Sequence, residues 1–325
     1  MTAIETQEQT AGSLETRRLR AARIHAYGGA EVVGLDAAEA AAPGPGEVLV
    51  EVRAAGVNGL DWKVREGFVR DVYPLAFPAT LGIELAGVVL QAGEGVSNLK
   101  PGDRVMGPLG GVGAYADQVV AVADRLSLTP DGLSDVEAAA IPVAGLTAWQ
   151  LLQAAGFDLA GRRIMVHGAA GAVGGFVVQF AKAAGATVFA TASSRSAEHL
   201  RRLGADEVID YCAERFEDRL RDLDLVVDLV GGEVVDRSWA ALSPAGVLIS
   251  TAAPDLARRT PEGRRGVWFM MRPDAERLRE IADQVAAGTL VSTIAEVVGF
   301  ADIPAAIERN RTGHAPGKIV ADFPR

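Results

Sequence analysis

The feature that most constrains the fold is the stretch RRIMVHGAAGAVGGFVVQFAK, residues 162–182. A short apolar run, several glycines and then apolar residues at intervals of three and four follow one another there, as in a buried strand, a tight turn and an amphipathic helix. Such a turn exposes backbone N–H groups where the helix dipole favours negative charge. The stretch therefore predicts a dinucleotide site. Its A-x-G-x-x-G at Ala169, Gly171 and Gly174 departs from the usual G-x-G-x-x-G, and plain turn chemistry is the alternative.

The rest of the chain divides near Ser134 into two parts with different patterns. Before it, short apolar runs alternate with proline and glycine turns, and residues 23–35 and 47–53 are expected to pair as antiparallel strands. After it, Ser134 and Glu137 have the spacing of a capping box, and strand-like and helical runs then alternate. This alternation predicts an α/β fold whose doubly wound parallel sheet begins with the glycine stretch.

The composition limits the partners that such a protein can have. A formal net charge of −10 argues against nucleic acid or an anionic membrane surface as a partner. No apolar run approaches the ~20 residues that a membrane-spanning helix needs, and the first sixteen residues lack the regions of a signal peptide. We therefore expect a cytoplasmic protein with a short disordered leader and a small-molecule ligand.

Cysteine and histidine usage argues against a metal site. Cys212 is the only cysteine, so an intrachain disulfide and a Cys-rich zinc site are excluded. The four histidines are far apart and show no metal-ligand spacing. The sequence therefore predicts no bound metal.

Eight motifs occur in an order that resembles the medium-chain dehydrogenase/reductase superfamily, and most closely its zinc-free, zeta-crystallin-like quinone oxidoreductases and enoyl reductases. The motifs are AAGVNGLDWKVREG, GIELAGVV, PGDRVMG, GAYADQV, AAAIPVAGLTAWQLL, HGAAGAVGGFVVQFAK, LGADEVIDY and GKIV. The resemblance implies a Rossmann-type doubly wound parallel sheet that binds NADPH at residues 144–265. It also implies a GroES-like β-rich catalytic domain at residues 20–143 and 266–325, after a leader at residues 1–19.

Two departures from the zinc-dependent members of that superfamily bear on the chemistry. Those enzymes place a cysteine where this chain has Asn58 to Leu60, and a histidine before the glutamate that matches Glu84. Without a Lewis acid, oxidation of a simple alcohol lacks its usual activation. Reduction of an already electrophilic substrate remains open.

The strand end after the glycine stretch favours NADPH over NADH. An NAD site normally has an acidic residue about 20 positions past the glycines, whereas this chain has Ser193, Ser194 and Arg195 there. Hydroxyls and a guanidinium suit a 2′-phosphate, although a solvated surface arginine is the alternative. The resemblance adds Tyr211 against the same phosphate. The cofactor-binding residues expected in all are Asn58, Thr147, Ala170, Gly171, Ala172, Val173, Ser193, Ser194, Arg195, Tyr211, Val230, Thr251 and Lys318.

The resemblance further implies a substrate pocket at Asn58 and Thr147. An amide and a hydroxyl can orient the nicotinamide and donate a hydrogen bond to a carbonyl that gains enolate charge. A left-handed turn residue and a helix-surface hydroxyl are the alternatives for them. Tyr73 is a candidate proton donor or an aromatic pocket wall. The neighbouring Asp61 and Lys63 are interpreted as a helix-start carboxylate and a solvated lysine.

Together these features predict hydride transfer from NADPH to a quinone or an α,β-unsaturated carbonyl. A biosynthetic enoyl or polyketide-type reductase with one dedicated substrate and a non-catalytic NADPH-binding sensor are the alternatives. The resemblance implies a homodimer that pairs through the edge of the nucleotide-binding sheet. The apolar run at residues 266–272 is expected to be a strand near the domain hinge.

Overall fold

The computed structural model describes residues 19–39, 41–313 and 315–324. The predicted leader at residues 1–19 lies outside the described residues, except for Leu19. That residue begins the first strand, so it does not belong to a leader.

The β-rich part of the chain consists of short strands joined by glycine and proline turns. Its strands are Leu19–Ile24 (β1), Val33–Ala38 (β2), Glu47–Val57 (β3), Ala79–Thr80 (β4), Glu84–Ala92 (β5), Arg104–Pro108 (β6), Gln118–Val122 (β7) and Ser127–Leu128 (β8). One helix, Gly59–Arg65 (α1), follows β3 directly. Strand β1 pairs with β2, not with β3. The predicted pairing of residues 23–35 with 47–53 is therefore wrong, because β3 belongs to a different sheet.

Two helices connect the β-rich part to the second half of the chain. They are Asp135–Ala139 (α2) and Pro142–Gln153 (α3). The capping box predicted at Ser134 is confirmed, since its hydroxyl accepts from the Glu137 N–H while the Glu137 carboxylate accepts from the Ser134 N–H. The helical pattern breaks before Pro142, which opens α3, because proline lacks the N–H that a continuous helix would need.

The second half forms a six-stranded parallel sheet with helices between its strands. The strands are Arg163–His167 (β9), Thr187–Ala192 (β10), Glu207–Asp210 (β11), Leu223–Asp228 (β12), Leu242–Ser250 (β13) and Arg265–Trp268 (β14). The helices are Ala172–Ala183 (α4), Ser194–Leu203 (α5), Phe216–Arg219 (α6), Glu233–Ala241 (α7) and Leu256–Arg259 (α8). The spatial order β11-β10-β9-β12-β13-β14 reverses between β9 and β12, as in a Rossmann sheet. The predicted fold class is confirmed.

The chain then returns to the β-rich part. Its last elements are Ala275–Ala286 (α9), Ile294–Gly299 (β15), Ile303–Arg311 (α10) and Lys318–Asp322 (β16). Strand β16 pairs with β3, so the sheet runs β15-β16-β3-β5-β6-β8, with β7 also on β3. Strand β14 pairs with β13 at the edge of the Rossmann sheet. The domain boundary predicted before Gly266 therefore falls inside a strand of that sheet.

Different apolar clusters stabilise the parallel sheet and the β-rich part. One cluster packs Val166, Val177 and Val227 with the apolar side of α3, and another packs Val50, Leu85 and Ile319 within the β-rich part. Within the described ranges, no helix is long and apolar enough to cross a membrane.

Candidate active site

The glycine loop between β9 and α4 has the geometry of a phosphate cradle. Gly168 turns the chain at φ +73°, and Gly171 is the N-cap of α4 without any side-chain cap for the first-turn N–H groups, which include those of Ala172 and Val173. A Cβ on Gly174 would lie only 2.4 Å from the Gly168 carbonyl oxygen. Only glycine at position 174 lets helix and loop approach this closely, which keeps the helix N-terminus free for an anion.

Strand β12 ends beside this loop at the point where the strand order reverses. The buried Asp228 carboxylate accepts from the Val230 N–H at 3.0 Å, the Gly231 N–H at 2.9 Å and the Ser250 hydroxyl at 2.5 Å. Val230 is 56% exposed, and the Thr251 N–H donates to the Asp228 carbonyl at 3.1 Å. Ligands of open α/β sheets bind outside such strand ends. The structure thus gathers Val230 and Thr251 beside the glycine loop.

The next strand end carries the residues expected to hold a 2′-phosphate. Ser193 is the N-cap of α5, yet its hydroxyl makes no capping hydrogen bond. Ser194 and Arg195 are exposed, and Arg195 has no ion-pair partner among the residues described. Tyr211, 64% exposed, is joined to the end of β10 through its N–H, which donates to the Ala192 carbonyl at 3.4 Å. These side chains flank one uncapped helix N-terminus.

Asn58 lies at the N-terminus of α1 with its whole amide engaged. Its Nδ2 donates to the Gly56 carbonyl at 3.1 Å and to Glu84 Oε1 at 2.8 Å, and its Oδ1 accepts from Lys318 Nζ at 2.6 Å. Its backbone is extended at φ −127°, so it is not a left-handed turn residue. Because both amide hydrogens are used, the expected donation from Asn58 to a substrate carbonyl is not available in this arrangement. One Oδ1 lone pair remains to accept from a nicotinamide carboxamide.

A buried ion pair between Glu84 and Lys318 holds that amide. Glu84 is fully buried and Lys318 is 3% exposed, and the ammonium contacts the Glu84 Oε1 directly. Lys318 therefore does not line the surface of the site, and it acts on the site only by holding the Asn58 amide. A Cβ on Gly56 would lie 2.4 Å from Glu84 Oε1, so a glycine is required where β3 passes this pair.

The same carboxylate joins the β-rich part to α3. Glu84 Oε2 accepts from the Val143 N–H at 2.6 Å, at the start of the helix that carries Thr147 one turn later. Thr147 is 7% exposed, so it is a buried residue and not a helix-surface hydroxyl. Glu84 thus brings Asn58 and the N-terminal turn of α3 together.

A second buried acid lies beneath Asn58. Asp61 is 1% exposed, and its Oδ2 accepts from the Asn58 N–H at 2.7 Å and from the Tyr115 hydroxyl at 2.6 Å. Burial raises the pKa of Asp61 to about 6, although these hydrogen bonds oppose the shift. Burial and the charge of Asp61 hold the pKa of Tyr115 well above its usual range. Asp61 does start a helix, as the sequence suggested, but it is not solvated.

His167 is buried under the glycine loop at the end of β9. Its Nδ1 lies 2.9 Å from the Thr191 hydroxyl and its Nε2 lies 3.2 Å from the Ser238 hydroxyl, which itself donates to the Val234 carbonyl at 2.7 Å. This assigns the proton to Nε2 and leaves Nδ1 to accept from Thr191. Burial lowers the pKa of His167 to about 4, so the ring is neutral and structural.

The pKa shifts of Asp61 and His167 predict opposite effects of pH on stability. Between pH 6.5 and pH 4 unfolded histidine binds more protons than folded His167, so the free energy of unfolding rises with pH. Between pH 6 and pH 3.8 folded Asp61 binds more protons than the unfolded residue, so the free energy of unfolding falls with pH. From pH 7 to pH 5 the His167 contribution lowers the free energy of unfolding by about 2 kcal/mol, and the Asp61 contribution raises it by about 1.4 kcal/mol, so the two nearly cancel.

Each of two single variants is therefore expected to remove one of these contributions and to show the pH dependence caused by the other. Asp61→Asn loses about 2 kcal/mol of stability on acidification from pH 7 to pH 5, whereas His167→Gln gains about 1 kcal/mol. Urea unfolding at several pH values checks this. The lowered pKa of His199 acts in the same direction as that of His167. Parallel pH profiles for the wild type and both variants would contradict the two assignments.

Lys63 is the residue that the sequence interpretation missed. It is half-buried instead of solvated, and its ammonium lies 5.6 Å from the Trp62 ring centroid. Burial lowers the pKa of Lys63, and the negative charge of Asp228 opposes that shift. The Lys63 ammonium therefore lies within electrostatic reach of Asp228 at the end of β12, and it has no hydrogen-bond partner among residues that the structure describes. Lys63 is one of several polar residues in a short helix, and this sequence context does not indicate that its side chain is half-buried.

Tyr73 lies in the loop after α1, half-buried against the core of the β-rich part. Burial raises its pKa, so its hydroxyl keeps its proton. In the described part of the chain that hydroxyl has no hydrogen-bond partner. The structure is compatible with a pocket wall as well as with a proton donor.

The side chains around Asn58 do not fit a zinc ion. Glu84 is already paired with Lys318, and Asp61 accepts from the Asn58 N–H and the Tyr115 hydroxyl. Residues 58–60 supply only amide, aliphatic and backbone groups. Cys212 is exposed after β11, in the other half of the molecule. Over residues 19–39, 41–313 and 315–324, no group of three or more His, Cys, Asp or Glu could hold a metal. His314 lies outside them.

Comparison with known proteins identifies the family. Residues 44–131 match the alcohol dehydrogenase GroES-like domain, and residues 203–320 match the zinc-binding dehydrogenase family model. A chloroplast envelope quinone oxidoreductase homolog of Arabidopsis thaliana is 33% identical over 94% of this chain and 98% of its own length. The chain belongs to the medium-chain dehydrogenase/reductase superfamily, in the quinone oxidoreductase branch. The predicted resemblance is confirmed.

Solved structures of this branch share the whole fold. The quinone oxidoreductase of Coxiella burnetii superimposes with a TM-score of 0.89 at 31% identity, over 94% of this chain and 99% of that chain. The quinone oxidoreductase of Escherichia coli in complex with NADPH gives a TM-score of 0.84 at 27% identity, over 93% and 99%. These relatives support an oxidoreductase that uses a nicotinamide cofactor.

Proposed function

We propose that this protein is a zinc-independent, NADPH-dependent reductase of quinones or α,β-unsaturated carbonyl compounds. The observation that carries the proposal is the uncapped N-terminus of α4 beside the end of β12, at the strand-order reversal. Lys63 of α1 is half-buried, and its ammonium lies within electrostatic reach of Asp228 at that strand end. We assign the dinucleotide to the uncapped helix N-terminus and the small electrophile to the space beside Lys63.

The cofactor supplies a hydride to the substrate, and the chain holds both partners. The N–H groups of Ala170, Ala172 and Val173 line the loop and first turn that would take the pyrophosphate, and the Gly171 N–H closes the turn by donating to the Gly168 carbonyl at 3.1 Å. Asn58 Oδ1 and the Thr147 hydroxyl are positioned to fix the carboxamide of the nicotinamide. Because Glu84 and Lys318 fix the Asn58 amide, this acceptor is oriented before the cofactor binds.

In this proposal Lys63 donates the hydrogen bond to the substrate carbonyl, which the sequence analysis expected from Asn58. As the hydride adds to the β-carbon of an enone, the electron pair moves to the carbonyl oxygen, and the Lys63 ammonium stabilises that charge. A proton from water or Tyr73 then reaches the α-carbon, so that the products are NADP⁺ and the saturated ketone. A quinone accepts the same hydride and proton to give the hydroquinone.

The function is tested by NADPH consumption with a panel of simple quinones and vinyl ketones. We expect turnover with members of both groups and none with simple alcohols and NADP⁺. Dialysis of the protein against a zinc chelator is expected to leave the rate unchanged. Binding of NADPH without consumption on any member would instead support a non-catalytic sensor, and absence of binding would overturn the proposal.

Cofactor preference is expected to depend on Arg195. Arg195→Ala removes a charge-assisted hydrogen bond to the 2′-phosphate, so kcat/KM for NADPH should fall by about 10- to 100-fold. The rate with NADH, which has no 2′-phosphate, should be unaffected. Arg201→Ala, an exposed arginine later on α5, is the matched control. An equal loss with both cofactors would contradict the 2′-phosphate contact.

We also propose that the protein acts in the cytoplasm as a homodimer. The support is strand β14, which forms the edge of the parallel sheet and leaves Trp268 41% exposed. Met270, just beyond it, is 40% exposed. An edge strand with apolar side chains is a template for pairing with a second copy. Analytical sedimentation measures the oligomeric state of the protein and of the variant Val267→Pro, which interrupts that edge.

A further inference from the structure

The segment after α1 exposes more apolar surface than its local structure requires. The helix ends in a turn closed by the Phe68 N–H, which donates to the Lys63 carbonyl at 2.9 Å, with Gly67 at φ +77°. In such turns an apolar residue at the Phe68 position packs on the helix, and the Phe68 and Trp62 rings do meet edge to face at 5.9 Å. That contact nevertheless leaves Phe68 70% exposed, and Val72 is 50% exposed.

This apolar strip, formed by Trp62 and Phe68 with Val72 four residues further along the chain, adjoins Lys63. The Lys63 ammonium lies 5.6 Å from the Trp62 ring centroid. The Trp62 ring in turn contacts Phe68. The strip therefore leads from the half-buried cation to an exposed aromatic ring on the surface.

We propose that the apolar strip binds the hydrocarbon substituent of the substrate, so that the enzyme favours enones and quinones with a long apolar chain. The inference rests on the proposed function. With the substrate oxygen at Lys63, a substituent on the carbonyl carbon extends over Trp62 and Phe68. Each methylene that this surface covers is removed from water, which strengthens binding in proportion to the area covered.

The charges around the strip favour a small substrate over a lipid surface. Arg70 and Asp71, one of each sign, lie between Phe68 and Val72. A peripheral membrane site needs clustered Lys and Arg beside its apolar residues, and the formal net charge here is −10. The polar end of the strip is a single half-buried cation, which matches a molecule with one carbonyl and one apolar arm.

The test measures kcat/KM for ethyl, pentyl and octyl vinyl ketone, which differ only in the alkyl arm. For the wild type we expect kcat/KM to rise by about tenfold or more from ethyl to octyl. Phe68→Ser should reduce that ratio to about threefold or less, and Phe68→Leu, which keeps an apolar side chain, should retain most of it. Val297→Ser, which changes a 51% exposed valine on β15, is the matched control and should keep the full ratio.

The outcomes separate this inference from the function on which it rests. If no vinyl ketone and no quinone is reduced, the proposed function fails and this inference fails with it. If all three ketones are reduced at equal kcat/KM, or if Phe68→Ser keeps the wild-type ratio, only this inference is overturned. A flat ratio together with Phe68-dependent binding to anionic lipid vesicles, or with Phe68-dependent dimerisation, would assign the strip to a membrane or to a second copy.

Discussion

A Lys318→Met variant is expected to unfold about 3–5 kcal/mol more easily than the wild type. The substitution removes the ammonium that contacts Glu84 and donates to Asn58 Oδ1 at 2.6 Å. Glu84 is fully buried, so its charge would be left with only one amide hydrogen of Asn58 and the Val143 N–H. Urea unfolding at pH 7 measures the loss, and the cofactor should also bind more weakly because Asn58 is no longer held.

The double variant Glu84→Gln/Lys318→Met separates charge from packing. It removes both charges, so we expect it to recover most of the stability that Lys318→Met loses, to within about 1–2 kcal/mol of the wild type. The matched control is Lys182→Met, which breaks the surface pair with Asp206 and should cost about 0–1 kcal/mol. If the double variant were no more stable than Lys318→Met, the loss would come from packing and not from the buried charge.

The second large effect is expected for Lys63→Met. The substitution keeps the length and apolar stem of the side chain but removes the cation that faces the substrate oxygen. We expect kcat/KM to fall by about 10²–10³, the usual cost of losing one such donor. Fluorescence titration should show NADPH binding within about twofold of the wild type, because the phosphate cradle is on the other half of the molecule.

Two control variants test whether the loss of activity comes from the charge of Lys63. Lys63→Arg keeps the charge and should retain more activity than Lys63→Met. Lys100→Met changes an ammonium that is 80% exposed in a surface pair with Asp103 and should leave the rate unchanged. A Lys63→Met enzyme with kcat/KM within about threefold of the wild type would show that the oxyanion is stabilised by another group.

The nucleotide-binding half was predictable because its signals are local. The glycine loop, the strand run of β12 and the helix that Gly204 ends all lie within short windows of sequence. Turn chemistry and apolar periodicity report backbone conformation over such windows.

The catalytic half was less predictable because its contacts are distant in sequence. The pairing of β3 was mistaken, since its partners β5, β7 and β16 are selected by tertiary packing and not by neighbouring turns. Likewise, β14 was placed in the wrong half because an apolar run does not reveal which sheet it joins. Lys63 was interpreted as solvated because burial of a side chain in a short polar helix depends on tertiary packing, which the local sequence does not record.

The fold class, the family and the position of the glycine loop followed from the sequence, because turn residues and apolar periodicity are local signals. The contacts of Asn58 became clear only from the tertiary structure. Its partners Glu84 and Lys318 lie 26 and 260 residues away along the chain. Hydrogen bonds of an amide depend on where buried charges come together in space, and no periodic pattern records that. Because both amide hydrogens of Asn58 are engaged, we assign the donor to the substrate oxygen to Lys63 and not to Asn58.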